Sequence, residues 1–195
     1  MPVRIAILGG PRCGKTTLIQ QLYVDLKIRD LNVGVATEYS TDYLRDKGMI
    51  ESIAEQYGIY LGQAQLEAAL SEFDYAITDY ATFVPFIYGR FMLGDKKRTK
   101  KEIEILKDLY MLALRDLPKY DYIFFVPRDF GYEKDGVRWQ DENLAKSIDK
   151  AILSFLEAEN VKFEVITGST KERSDKILEI VGLEDIEIKA AVLQE

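Results

Sequence analysis

The chain has 195 residues, 47% hydrophobic and 30% charged, with a formal net charge of −7. That length and mix suit one folded domain whose core needs no staples, and the single cysteine, Cys13, excludes an internal disulfide. The acidic balance argues against a general nucleic-acid binder, no apolar run reaches membrane-spanning length, and without histidine any proton transfer falls to Asp, Glu, Lys, Tyr or water.

Apolar patterning predicts a strand over 3–8 and a helix over 15–28, then a strand over 32–37 and a short helix over 40–47. A helix over 61–73 leads to a short apolar strand at 75–78. Helices over 83–93 and 101–116 precede a nearly continuous apolar strand at 122–126. A helix over 142–159, a strand over 162–167 and a helix over 171–181 close the order, and 186–193 reads as an added strand or a tail. Strands that are apolar on both faces and alternate with helices predict an α/β fold: a mainly parallel central sheet in three layers, with helices on both faces. No repeat, leader pattern or long linker stands out, so 1–195 reads as a single domain, in a reducing cytoplasmic setting.

Gly9-Gly10-Pro11-Arg12-Cys13-Gly14-Lys15-Thr16 fits G-x-x-x-x-G-K-[ST], after a strand and opening a helix. The glycines let backbone N–H groups turn toward phosphate oxygens, and the helix N-terminus adds partial positive charge. This is the cradle of a P-loop NTPase fold. It predicts ATP as ligand over Gly9–Thr16 and the adjoining Thr17, with Lys15 on the β- and γ-phosphates and Thr16 on Mg²⁺. Ligands of open α/β sheets sit beyond the carboxyl ends of the strands, and two acids fall there. Glu38 is the candidate to orient an acceptor hydroxyl and take its proton; Asp79 is the candidate for the metal or its waters. Either acid could instead cap the next helix. Phosphoryl transfer also needs cations. Arg128, Lys134 and Arg138 lie in 127–140, a segment suited to a lid. Lys96, Lys97, Arg98, Lys100 and Lys101 form a denser basic run, either a solvated face or a receiver for a polyanion such as DNA.

With these residues in place the chain resembles the NadR-type ribosylnicotinamide kinase domain, in the AAA-like group of P-loop kinases. Glu38-Tyr39-Ser40-Thr41-Asp42-Tyr43-Leu44 stands where that group has E-Y-A-R-E-Y-L. Gln63, Gln65 and Glu67 lead to Asp79 as a Gln- and Glu-bearing helix does there, Asp135-Gly136-Val137-Arg138 matches D-G-x-R, and Gly168 with Arg173 matches the closing G and R. The resemblance implies a nucleotide contact for Arg173 and a catalytic cation at Arg138. Thr41 stands where the group often has arginine, and Phe130-Gly131-Tyr132 replaces its lid I-P-W, so the likeness carries the ATP half further than the acceptor half.

The resulting expectation is a phosphotransferase moving the γ-phosphate of ATP, with Mg²⁺, to a hydroxyl of a small nucleoside- or nucleotide-type acceptor. Two alternatives stand beside it. One is a kinase acting, like certain phage enzymes, on hydroxymethyluracil in DNA. The other is a P-loop ATPase or switch with a protein partner, although no N-K-x-D guanine-reading motif is present.

Overall fold

Strand β1 (Val3–Leu8) buries its last four residues because it runs through the middle of the sheet, under helices on both sides. The structure, a computed structural model, describes residues 1–94, 98–128 and 142–187. β1 pairs in parallel with β3 (Tyr75–Asp79) on one side and β4 (Tyr122–Phe125) on the other. β2 (Val33–Ala36) lies outside β3 and β5 (Glu164–Val165) outside β4, giving the order β2-β3-β1-β4-β5. With every registered pair parallel, all the carboxyl ends open on one edge of the sheet.

Side-chain alternation along β1 divides the core. Ile5 and Ile7 join Leu18, Leu22 and Leu26 of α1 (Lys15–Lys27) and Ile177 and Leu178 of α7 (Thr170–Val181). Ala6 and Leu8 face the other way, onto Phe86 and Ile87 of α4 (Val84–Leu93), Leu109 of α5 (Lys100–Asp116) and Ile148, Ile152 and Phe155 of α6 (Glu142–Ala158). Each such side chain contributes roughly 1.5–3 kcal/mol by leaving water, so the two layers hold the sheet from both faces.

The expected order of elements is recovered throughout the described residues. The main shift is α3, which runs Gln56–Ala68 rather than 61–73. A capping box on Ser52 and Glu55 opens a 3-10 turn, Ile53–Glu55, that feeds the helix early. Gly58 and Gly62 serve packing within this helix. A Cβ at Gly62 would come 2.1 Å from the ring of Tyr39, and one at Gly58 3.3 Å from that of Tyr43; both tyrosines lie on α2 (Tyr39–Lys47). β5 is shorter than 162–167 because it pairs only with β4, at the sheet edge. Thr99 and Ser169 open α5 and α7 with capping boxes of their own. Of the ambiguous stretch 186–193, residues 188–193 lie outside the described residues, and Ile186 packs against the α1–α7 cluster.

A buried polar network underlies β3. Glu67 on α3 is 4% exposed and accepts from the Tyr120 hydroxyl at 2.9 Å, while that hydroxyl accepts from the Thr82 N–H at 2.8 Å. Burial pushes the Glu67 carboxyl above its ordinary 4.5, against the opposing pull of the hydrogen bond from Tyr120. Between 4.5 and that raised value the folded protein holds a proton the unfolded chain has lost, so this group's contribution to stability falls as pH rises. Glu67→Gln removes the titration. Melting curves from about pH 4 to 8 should show the variant gaining on the wild type as pH rises and then levelling off. A difference independent of pH would mean that Glu67 titrates as an ordinary carboxylate.

Candidate functional site

The turn between β1 and α1 is a run of backbone reversals. Gly9 (φ 147), Arg12 (φ 65) and Gly14 (φ 87) all take positive φ. Gly14 N-caps α1 and offers no side-chain cap, unlike Ser52, Thr99 and Ser169 at other helix starts. The first N–H groups of α1 and their partial positive charge are therefore left to face a ligand, and Thr16 and Thr17 are exposed at that end.

Three side chains brace this turn from behind. The Gly10 N–H donates to Asp149 Oδ1 of α6 at 2.5 Å, and a Cβ at Gly10 would lie 2.5 Å from that oxygen and 2.9 Å from the Ala145 carbonyl. Arg128 donates to the Pro11 carbonyl at 2.7 Å and pairs with Asp149 at 3.1 Å, with the two side chains 8% and 16% exposed. Arg173 is 1% exposed and donates to the Cys13 carbonyl at 3.2 Å. Arg128, expected as a lid cation, is thus engaged in holding the loop. Arg173 supports the same loop through its backbone. Asp149 was missed in the sequence; its one signal is an acid set between Ile148 and Ile152 on the buried stripe of α6.

Lys15 is buried, donates to the Gly10 carbonyl at 3.2 Å, and lies 4.4 Å over the ring of Tyr80. Burial alone would lower the pKa of its ammonium; the ionisable groups of Cys13, Asp79, Glu38 and Tyr88 outweigh that and raise it, so the lysine stays charged. Cys13 is a buried free thiol. Asp79 ends β3 and accepts from the Thr16 hydroxyl at 2.8 Å. A hydroxyl and a carboxylate converging beside the loop fit Mg²⁺, which takes one or two protein oxygens and fills its shell with phosphate oxygens and water. Among the described residues no group of three or more His, Cys, Asp or Glu is placed to hold a metal ion by itself.

Glu38 sits at the N-cap position of α2, but its side chain makes no cap bond; it accepts from the Ser40 hydroxyl at 2.5 Å. It lines a cavity of about 390 Å³ that reaches back to Pro11 of the loop. Ile59, Val84, Pro85, Phe91 and Met92 give the cavity an apolar body, and α6 closes it with Leu144 and Ile148. Its uncharged polar lining comprises Ser40, Thr41, Gln56, Gln63 and the Tyr80–Tyr88 hydroxyl pair, 3.0 Å apart. Burial, with the charge of Glu38 adding to it, raises both tyrosines well above their ordinary pKa, so they act as neutral hydroxyls. Arg45 is a rim residue, its side chain 65% exposed and 3.4 Å from Asp42.

The structure therefore brings Gly9–Thr17, Glu38, Asp79 and Arg173 together at the carboxyl edge of the sheet. Arg138, with Lys134, Asp135–Val137 and Phe130–Tyr132, lies outside the described residues, as do Lys96 and Lys97. The rest of the basic run points elsewhere. Arg98 donates to the Gly94 carbonyl and lines a second, smaller cavity with Glu51 and Glu102, while Lys100 and Lys101 are exposed at the start of α5. Among the described residues no helix is long and apolar enough to cross a membrane.

Comparison with known proteins gives the arrangement its relatives. Two solved structures of NadR are similar to it, one in complex with NR (TM-score 0.70) and one with NAD and AMP-PNP (TM-score 0.69), each at 14% identity. The likeness covers 96% of this chain but only 52% and 51% of theirs, so the chain spans about half the length of the structures it matches. At that identity what is shared is the fold, a P-loop NTPase sheet with its flanking helices. The sequence matches no curated protein. The family profile described as an AAA domain matches residues 4–173, and the chain belongs to that family.

Proposed function

We propose that the chain is an ATP-dependent phosphotransferase whose acceptor is an uncharged, nucleoside-type molecule bearing a hydroxyl. The observation that carries this reading is the junction of two compartments: a phosphate loop with its lysine, and beside it an apolar cavity whose one inward carboxylate is Glu38. A hydrolase or switch has no need of a second, apolar cavity beside the phosphate loop. NadR, which shares this fold over about half its length and was solved with NR and with NAD and AMP-PNP, lends support as a protein that binds both kinds of molecule.

In this reading the turned N–H groups of the loop and the start of α1 hold the triphosphate, and Lys15 exchanges its bond to the Gly10 carbonyl for phosphate oxygens. Thr16 and Asp79 would hold Mg²⁺, whose charge would offset that of the phosphates. Glu38 orients the acceptor hydroxyl and receives its proton as the new O–P bond forms, the bond from the γ-phosphorus to its bridging oxygen breaks, and ADP departs. The apolar cavity walls off water, so that the acceptor competes with little else for the phosphoryl group. Among the described lining residues no buried cation is present to pair with an acceptor phosphate, and an unpaired phosphate there would be costly; this favours a nucleoside over a nucleotide or a DNA strand. The free thiol of Cys13 agrees with a cytoplasmic setting.

Three outcomes follow from these assignments. Lys15→Met keeps the volume over Tyr80 and removes the charge, so turnover should fall by roughly 10²–10³ or more while the melting temperature without nucleotide holds. A folded variant with near-normal turnover would sink the phosphate-loop assignment. Glu38→Gln should cut kcat by roughly 10²–10⁴ with little change in KM for ATP; full turnover with the true acceptor would return Glu38 to a helix-capping role. In a transfer assay with labelled ATP, nucleosides should exceed their 5′-monophosphates and hydroxymethylated duplex DNA by about tenfold in kcat/KM. Preference for a phosphorylated acceptor would overturn the assignment of acceptor class.

A further inference from the structure

Gln63 of α3 bonds the residues next to the two strand-end carboxylates, Tyr39 beside Glu38 and Thr78 beside Asp79. It is 3% exposed, and its amide joins two backbone segments. Its Oε1 accepts from the Tyr39 N–H at 3.0 Å, its Nε2 donates to the Thr78 hydroxyl at 3.0 Å, and its side chain also bonds the Glu67 carboxyl. The Thr78 hydroxyl in turn donates, to the Tyr80 carbonyl at 2.6 Å with Glu67 Oε1 a more distant acceptor at 3.3 Å. The chain of donors fixes which way the amide faces, because a backbone N–H needs an oxygen opposite it and a hydroxyl already donating needs a donor. Tyr39 follows Glu38; Thr78 and Tyr80 flank Asp79. The ladder between β2 and β3 ends at the pair Ala36–Thr78 and does not reach Glu38. Past that point the Gln63 amide ties the start of α2 to the end of β3. Gly62 permits the approach, since any side chain there would strike the Tyr39 ring.

We infer that Gln63 is a positioning residue that sets the spacing between Glu38, beside the acceptor, and Asp79, beside the metal. The inference rests on the phosphotransferase reading. In-line transfer needs acceptor and phosphoryl group aligned, and a displacement of about 1 Å costs on the order of a hundredfold in rate. A residue that only filled the core would affect stability and leave the division between kcat and KM alone.

The test uses the full chain as wild type, Gln63→Met, Gln63→Glu, Glu38→Gln and the double variant Glu38→Gln with Gln63→Met. ATP turnover is followed over ATP and Mg²⁺ concentrations, with the acceptor that the wild type uses best. Gln63→Met, which removes these bonds at similar volume, should lower kcat by about 10–100-fold and change KM for ATP by less than about twofold. In the Glu38→Gln background the same substitution should cost less than about threefold, because the group it positions is already disabled. Gln63→Glu keeps the oxygen for Tyr39 and loses the donor to Thr78, so its kcat should fall between wild type and Gln63→Met; it carries the test should the Met variant fail to fold. Unchanged kcat, or an equal loss in both backgrounds, overturns the inference. A wild type without ATP turnover would instead sink the phosphotransferase reading. The inference is then decided by ADP binding: the Mg²⁺ concentration giving half the ADP-induced melting shift should rise several-fold in Gln63→Met, and an unchanged value overturns it.

Discussion

A buried ammonium must be surrounded by groups that replace water, and Lys15 is the point on which the rest of the site converges. Its carbonyl partner comes from Gly10, its π-face from Tyr80, and its field from Glu38 and Asp79 on the neighbouring strand ends. Tyr80 serves that role in a left-handed backbone conformation, φ 68, which costs a residue with a Cβ on the order of 1–2 kcal/mol. The cost is offset locally. The Tyr80 N–H bonds the Ile7 carbonyl at 3.2 Å, its own carbonyl accepts from Thr78, and its hydroxyl meets Tyr88. The end of β3 is bent out of the ladder so that one ring lies under the lysine while one carboxylate meets Thr16.

The second theme is backbone approach that tolerates no side chain. At Gly10 the loop presses against α6, close enough for a carboxylate and an arginine to brace it through main-chain atoms. At Gly62 α3 presses against Tyr39. The two contacts lie at separate points of the site yet act alike: each converts a glycine into a fixed distance between an element and a functional loop. Packing at this density transmits position, so residues outside the ligand's reach set the geometry inside it.

The sheet and the phosphate loop were legible because both are written in local pattern. Apolar runs such as that of β1 and β4 mark strands covered on both faces, and the G-x-x-x-x-G-K-T spacing fixes a turn and a helix start together. Glu38 and Asp79 were legible as acids at strand ends. Asp149, the loop-bracing side of Arg128, and Gln63 were not. Their significance lies in partners separated by |i−j| of 139, 117 and 24, and no local pattern encodes a contact with a backbone that far along the chain. The early start of α3 escaped for a related reason. Gly58, ahead of the expected start at 61, lowers helix propensity on its own, and the Tyr43 ring it packs against belongs to another helix.

What these features share is the separation of charge from apolar body within one cleft. On the loop side, Lys15, Asp79 and Thr16 form a compact polar cluster. On the far side, Ile59, Val84, Phe91 and Met92 present almost nothing to a charged ligand. Glu38 lies at the boundary. A carboxylate at such a boundary interacts with a neighbouring ammonium through a medium less screening than water, and Glu38 adds to the larger effects of Cys13 and Asp79 that raise the pKa of Lys15. A molecule filling the cavity displaces the remaining water and strengthens every interaction across the boundary at once. Under the proposed reading the apolar wall would do two jobs from the same atoms: select an uncharged body for the acceptor, and sharpen the electrostatics where its hydroxyl meets the phosphate loop.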